Sequence, residues 1–120
     1  MDNNLTVTLG GVERTLIMSK MPFLKRLGEI APTFNFLDPT IPSWPQKTYT
    51  CVMYFVWAGL LCGNHKGLTQ EEVEAWMEDM DLTELQKIQY QGWAALTGKT
   101  VEELKNPTAQ AINKNGITAS

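Results

Sequence analysis

Residues 49–62, YTCVMYFVWAGLLC, form the most apolar stretch of the chain and decide its fold. Twelve of these fourteen residues are apolar or aromatic, and none is charged. As a helix the stretch would rise about 21 Å, which is less than the ~30 Å hydrocarbon core of a bilayer. Its apolar residues lie on every side of the helix, a pattern typical of a helix that protein covers on most faces. We therefore predict the central buried helix of a small soluble domain.

Length and charge limit the classes of function. The chain has 120 residues, enough for one domain with a modest core. A net charge of −3 gives no reason to expect nucleic acid or an anionic membrane surface as a partner. Residues 1–66 carry six Lys and Arg against four Asp and Glu, whereas residues 67–120 carry four against nine. This asymmetry fits head-to-tail association of subunits, although solvated faces explain it at least as often.

Cysteine and histidine usage predicts a cytoplasmic protein without a metal. The first eleven residues lack the basic-then-apolar pattern of a signal peptide. Cys51 and Cys62 on the buried helix would lie about 16 Å apart along its axis, too far for a disulfide within one chain. With one histidine, His65, and no Cys-x-x-Cys spacing, a zinc site is not expected.

The remaining patterns predict a mostly helical α+β fold. Alternating apolar residues around Gly10-Gly11 predict a β-hairpin over residues 4–18, with Arg14 on its apolar face. Either the Arg14 stem extends along that face to solvent, or the turn is longer than two residues. Helical periodicity and capping signals predict four to five helices around the central one, in a single domain of residues 1–106 with a flexible tail at 107–120. The expected helices are at about residues 20–31, 49–62, 70–80, 82–97 and 101–105.

A Pro-rich loop is predicted over residues 32–47, where four of the six prolines lie. Phe34, Phe36 and Trp44 lie on this loop. One interpretation is that the loop folds back and covers the core. The other is a docking arm whose aromatic side chains anchor a partner or a second subunit.

The helix predicted at 70–80 combines an apolar stripe with an acidic face. Trp76, Met77 and Met80 belong to the stripe, which fits either a core contact or a surface that accommodates varied partners. The carboxylates lie beside no His, Lys or Cys nucleophile, so we interpret them as a solvated face. Since no phosphate loop, dinucleotide fingerprint or nucleophile elbow occurs, the sequence predicts no enzyme, no catalytic residues and no cofactor. The acidic C-terminal helices also disfavour DNA binding.

The order of these features resembles a known family. A hairpin with a Gly-rich turn leads to a buried helix ending in WAGLL at 57–61, followed by LTQEEV at 68–73 and WMEDMD at 76–81. This resembles the tail assembly chaperones of long-tailed, siphophage-type bacteriophages and their prophage relatives, over about residues 5–97. The Pro-rich stretch 32–45 departs from the family pattern and is interpreted as an insertion.

The resemblance implies a non-enzymatic protein without a cofactor. Such chaperones bind the tape measure protein, a very long, helical and apolar protein, and keep it soluble until the tail tube assembles around it. The family further implies a host-cytoplasmic protein that is absent from the finished virion. A C-terminally extended form, made by frameshifting, would recruit the tail tube protein. The candidate partner-binding residues are then Phe34, Phe36, Trp44, Trp76, Met77 and Met80.

The sequence also allows two other functions. The first alternative to a chaperone is a small structural virion protein of the tail-completion or connector type. The second is a small regulatory protein that binds a host factor. A homo-oligomer is expected, because the hairpin edge and the loop aromatics both offer pairing surfaces.

Overall fold

A hairpin and five helices make up the described chain, which covers residues 4–63 and 67–105 of a computed structural model. Strands β1 (Leu5–Leu9) and β2 (Val12–Leu16) pair antiparallel. The helices follow in chain order: α1 (Lys20–Ile30), α2 (Pro45–Cys62), α3 (Gln70–Trp76), α4 (Leu82–Thr97) and α5 (Val101–Lys105). A short 3-10 helix, Ile41–Ser43, precedes α2. The predicted mostly helical α+β class is confirmed. The predicted tail at 107–120 and His65 lie outside the described residues.

The hairpin has the predicted two-residue turn. Gly10 and Gly11 have φ of 60° and 78°, a backbone conformation that side chains other than glycine rarely adopt. The register pairs Leu9 with Val12 and Val7 with Arg14, so Arg14 does lie among the apolar residues of one face. The alternative of a longer turn is therefore wrong. The Arg14 side chain is half-buried, and its Nε donates to the Leu9 carbonyl at 3.1 Å.

Helix α2 is the centre of the molecule. It packs against α1, α3, α4, β2 and the 3-10 helix. From Thr48 to its end, every residue of α2 is buried or half-buried, which confirms the prediction of a helix covered on most faces. Cys51 is buried as predicted, whereas Cys62 near the end of the helix is only half-buried. The exposed residues of α2 are confined to its first three, Pro45, Gln46 and Lys47.

Two glycines set how closely other elements approach α2. A Cβ built on Gly59 would lie 2.9 Å from Leu16 Cβ, and the Ile17 amide donates to the Gly59 carbonyl at 3.1 Å. A Cβ on Gly92 of α4 would lie 2.5 Å from the Phe55 ring. The absence of a side chain at these positions lets the hairpin and α4 contact the central helix directly.

Three predicted details are wrong. Helix α2 begins at Pro45 and not at 49, because proline is tolerated in a first turn where its missing N–H has no helical partner; the loop thus ends at Trp44. Helix α3 ends at Trp76 and not at 80, since the chain continues as turns with i to i−3 bonds, such as that from the Met80 amide to the Met77 carbonyl at 3.0 Å. The helical spacing of Phe23, Leu24, Leu27 and Ile30 predicts one apolar stripe on α1, yet Leu24 is 48% exposed.

The capping signals of the last helices are confirmed. Thr69 with Glu72, and Asp81 with Glu84, each form a reciprocal capping box at the start of α3 and α4. Gly98 ends α4 in the left-handed conformation. Ser19 occupies the N-cap position of α1 without a capping bond from its side chain. Within the described ranges, no helix is long and apolar enough to cross a membrane.

Candidate functional site

Phe34 and Phe36, two of the predicted loop anchors, pack inward. Their ring centroids lie 4.8 Å apart, and the Phe36 ring stacks on Phe55 of α2 at 5.4 Å. The Phe36 carbonyl also accepts a hydrogen bond from the indole of Trp93 on α4. Both rings are half-buried. The loop therefore covers the core at these residues, as the first of the two interpretations expects.

Trp44, the third predicted anchor, lies differently. Its side chain is 58% exposed at the residue that precedes α2. It borders an open groove of about 390 Å³, which Phe34, Gln46, Lys47 and Thr50 also line. We call this the Trp44 groove. An exposed tryptophan beside a concave, partly apolar surface has the composition of a partner-binding site.

Polar contacts hold the loop beside this groove. Asp38 Oδ1 accepts from the Thr40 amide at 2.9 Å and from the Thr40 hydroxyl at 2.8 Å. Lys47 Nζ donates to Thr40 Oγ1 at 2.9 Å and lies 3.6 Å from Asp38 Oδ2. The Thr40 amide and hydroxyl, with the Lys47 ammonium, lower the pKa of Asp38 below its ordinary value. Buried Thr48 donates to the Ile41 carbonyl at 2.9 Å and fixes the 3-10 helix on α2.

Of the other three predicted residues, Trp76, Met77 and Met80, the first and last lie beside the hairpin. The Arg14 guanidinium lies 3.8 Å from the centre of the Trp76 ring, so a cation–π contact accommodates the charge on the apolar strand face. A Cβ on Gly10 would lie 2.7 Å from the same ring. Met77 is 2% exposed and belongs to the core, while Met80 is half-buried. Met77 is therefore unavailable to a partner of the folded chain.

The six predicted residues do not form one site. Phe34, Phe36 and Trp44 contact or border α2 on the side of the loop, whereas Trp76, Met77 and Met80 belong to α3 and the turn after it. Met80 borders a small groove beside β1, lined also by Thr6, Val7, Thr8, Glu84 and Lys87. Trp44 is the member of the six with the most exposed side chain and is the centre of our candidate site.

A second exposed apolar surface was missed from the sequence. Met21 is 70% exposed and Leu24 is 48% exposed on α1. Together with Leu96 near the end of α4 they line a groove of about 230 Å³, which we call the α1–α4 groove. The signal was the spacing: Phe23 and Leu27 form one stripe of α1, while Met21 and Leu24 form another.

The motif residues behind the family resemblance have structural roles. The Trp57 indole donates to the Leu68 carbonyl at 3.0 Å and so connects the end of α2 to the segment before α3. Gly59 of the same motif contacts β2. The LTQEEV motif supplies the capping box of α3. These residues place the elements around α2.

Two titratable side chains of α2, Cys51 and Tyr49, have raised pKa values. In the part of the chain that the structure describes, no group of three or more His, Cys, Asp or Glu side chains is placed to hold a metal. Burial raises the pKa of the Cys51 thiol and keeps it protonated, which lowers its reactivity as a nucleophile. The Tyr49 hydroxyl also has a raised pKa, through burial and the neighbouring Glu74 carboxylate.

Comparisons of the chain with protein-family models, curated proteins and solved structures gave no match.

Proposed function

We propose that this protein is a tail assembly chaperone of a long-tailed bacteriophage or prophage. It binds the tape measure protein, keeps that protein soluble in the host cytoplasm and is absent from the finished particle. It carries out no chemical reaction and needs no cofactor. The proposal rests on the order of motifs over about residues 5–97 and on the exposed surface of the domain.

The observation that carries the proposal is the exposure of Trp44 beside its groove. Trp44 is 58% exposed, although tryptophan is among the side chains that gain most from burial. A helical, apolar client offers rows of side chains at i, i+3 and i+4 that such a groove accepts. A tape measure protein has this chemistry along most of its length.

The distribution of charge fits the same function. Residues 69–84 contain seven Asp and Glu and no Lys or Arg. All of these carboxylates except that of Glu74, which is half-buried, belong to exposed residues. A coat of such subunits would surround an apolar client with negative charge and keep the assembly in solution. The Trp44 groove contributes Lys47 and no carboxylate, so it is separate from this acidic surface.

Co-expression with the cognate tape measure protein tests the proposal. We expect the tape measure protein to be insoluble alone and soluble with this chain, and both proteins to co-purify through a tag on either one. Failure to associate under conditions where both are expressed would contradict the function.

Mass spectrometry of purified particles provides a second measurement. A chaperone should be missing from them. Detection of this chain at a fixed copy number per particle would favour the structural virion protein instead.

A further inference from the structure

The outer edge of β1 carries main-chain groups that point away from its partner strand. The sheet has two strands, and the two-residue turn makes Leu9 and Val12 a pair that exchanges both main-chain hydrogen bonds. Such pairs alternate with pairs that exchange none, so the main-chain N–H and C=O groups of Thr6 and Thr8 point away from β2. Both threonines are exposed. In the described part of the chain, β2 is the one strand that pairs with β1.

Strand β1 lacks the features that usually prevent the addition of a further strand. Its sequence, LTVTL, has no charged residue and no proline, and its register with β2 continues over five pairs without a bulge. The edge of β2 is different, because Glu13 on it is charged and exposed. Just beyond β2, the Ile17 amide bonds to the Gly59 carbonyl of α2. The more accessible edge of the sheet is therefore that of β1.

A groove of about 210 Å³ lies along this edge, between the strand and a helix. Three residues of β1 line it, together with one residue of the turn before α4 and two of the first half of α4. They are Thr6, Val7, Thr8, Met80, Glu84 and Lys87. We call this the β1 groove. Since neighbouring strands lie about 4.8 Å apart, a strand added to β1 would occupy this groove.

The lining of the β1 groove combines apolar side chains with one available cation. Val7 and Met80 are half-buried and apolar. The Glu84 carboxylate is already engaged, because its Oε1 accepts from the Asp81 amide at 3.2 Å. Lys87 is exposed, and among the described residues it has neither an ion pair nor a hydrogen bond. The Lys87 ammonium is therefore the charged group of the groove that can bind a carboxylate.

We propose that the β1 groove binds an extended segment of another protein, which adds a third strand to the sheet beside β1. Main-chain hydrogen bonds with Thr6 and Thr8 hold the segment in place. Its alternate apolar side chains pack on Val7 and Met80, and an acidic residue pairs with Lys87. This binding is independent of the proposed function, because the β1 groove shares no residue with the Trp44 groove and takes an extended rather than a helical partner.

The shape of the β1 groove favours a single extended segment over a second copy of this chain. The free edge of β1 is bordered by Met80 and α4 in every copy, so pairing of two copies through β1 would bring these walls against each other. An extended segment without a helix beside it meets no such obstacle. Residues 106–120 of the chain itself contain no Asp or Glu side chain for Lys87.

Binding of a peptide tests the proposal on the unmodified protein. The probe is a fluorescein-labelled peptide, EVTVTVE, in which valine alternates with threonine between two glutamates. We expect saturable binding by fluorescence polarisation. Hydrogen exchange at the Thr6 and Thr8 amides should become slower in the complex, while exchange at the Thr15 amide on the other edge should not change. No binding at about 1 mM peptide, or equal protection of both edges, would overturn the proposal.

Methylation of the peptide nitrogens identifies strand addition directly. Successive N–H groups of a strand point to opposite edges, so methylation of the valines or of the threonines removes the donors of one edge. One methylated peptide should therefore lose binding by at least about tenfold, while the other should bind as the parent peptide does. Equal binding by the two methylated peptides would contradict a third strand.

Two proline variants of the protein are a matched pair. Thr6→Pro removes an outward N–H of β1, and Thr15→Pro removes the equivalent N–H of β2. Both lose the hydrogen bond between the two threonine hydroxyls, 3.1 Å in length, so they differ in the edge that is changed. Thr6→Pro should weaken peptide binding by at least about tenfold and Thr15→Pro should not, with circular dichroism to check that each variant is folded. Equal binding by the two variants would overturn the proposal.

Two further measurements test the charge and the occupant. Lys87→Gln should weaken binding of EVTVTVE by up to about fivefold and leave binding of the uncharged peptide QVTVTVQ unchanged, because an exposed ion pair contributes little. Equal effects on both peptides would contradict the role of Lys87. If sedimentation equilibrium shows that Thr6→Pro, but not Thr15→Pro, lowers the average mass of the chain alone, the edge binds a second copy and the proposal is wrong.

Discussion

The side chain of Gln89 lies fully buried on α4, and its amide nitrogen and carbonyl oxygen have no hydrogen-bond partner among the described residues. A buried amide that lacks partners has lost its bonds to water without replacement, at a cost of about 1–3 kcal/mol. We interpret this residue as a source of instability in the core.

Replacement of Gln89 by methionine should therefore stabilise the protein. Methionine has a similar shape and no group that needs a hydrogen bond. We expect the free energy of unfolding to rise by about 1–2 kcal/mol, measured by urea denaturation. A fall in stability would contradict the interpretation of Gln89 as a source of instability.

Asp38 controls the loop beside Trp44, and its ionisation can be followed directly. Its lowered pKa means that the contacts with Thr40 and Lys47 favour the charged form. The ionised Asp38 carboxylate therefore stabilises the folded chain at pH values above the pKa that Asp38 has in the unfolded chain. This stabilisation is lost as pH falls through the lower pKa that Asp38 has in the folded chain.

An NMR titration of the Asp38 carboxyl carbon should give a midpoint below the usual value of about 3.9. In urea the midpoint should return to that value. Thr40→Val removes the hydroxyl but keeps the amide, so it should recover part of the difference. An unshifted midpoint in the folded chain would contradict the network around Thr40.

At the scale of elements, the hairpin depends on α2 for its place. A two-stranded hairpin is marginal in water by itself. Here Leu9 and Leu16 are fully buried, and the Ile17 amide bonds to the Gly59 carbonyl. The close approach of β2 at Gly59 allows the packing of Leu16 and the hydrogen bond of the Ile17 amide.

Gly59→Ala tests this dependence. The new Cβ would lie 2.9 Å from Leu16 Cβ and 3.2 Å from its Cα, so β2 must move away from the helix. We expect a loss of about 1–3 kcal/mol in the free energy of unfolding and faster hydrogen exchange at the Ile17 amide.

Gly28→Ala is the matched control. Gly28 lies in the interior of α1, and a Cβ there would meet no atom within 4 Å. The Gly28→Ala substitution should raise the free energy of unfolding by about 0.5–1 kcal/mol, because alanine favours the helix more than glycine does. Equal losses at both glycines would indicate that packing against Leu16 is not the reason.

Most elements could be predicted from local sequence patterns, because each has a short-range signal. The glycine pair, the alternation of the strands and the two capping boxes depend on residues close in sequence. The start of α2 and the end of α3 could not, since Pro45 suits either a loop or a first turn and the stripe of α3 continues past Trp76. Those boundaries depend on neighbouring elements.

The candidate surface was only partly predictable. Trp44 was identified from its place in the Pro-rich loop, but its exposure and the packing of Phe34 and Phe36 depend on how the loop folds onto α2 and α4. The partner of Arg14 is Trp76, more than sixty residues away in the chain, so no local pattern indicates it. Contacts of this range require the tertiary structure.

At the scale of the whole molecule, two exposed grooves with different lining residues flank a largely covered central helix. The Trp44 groove is proposed to bind the client, and the α1–α4 groove is a second exposed apolar surface. Lys47 and Asp38 keep the first groove fixed to the start of α2. Because the two surfaces involve different residues, substitutions can separate their effects.

The most direct test of the central claim compares Trp44→Ala with Leu37→Ala in co-purification with the tape measure protein. The two side chains are exposed to similar extents, 58% and 53%, but Leu37 does not line the groove. Trp44→Ala should weaken binding at least about tenfold, the effect expected for a central aromatic anchor, while Leu37→Ala should bind as the unchanged protein does. Equal binding by all three proteins would contradict the account.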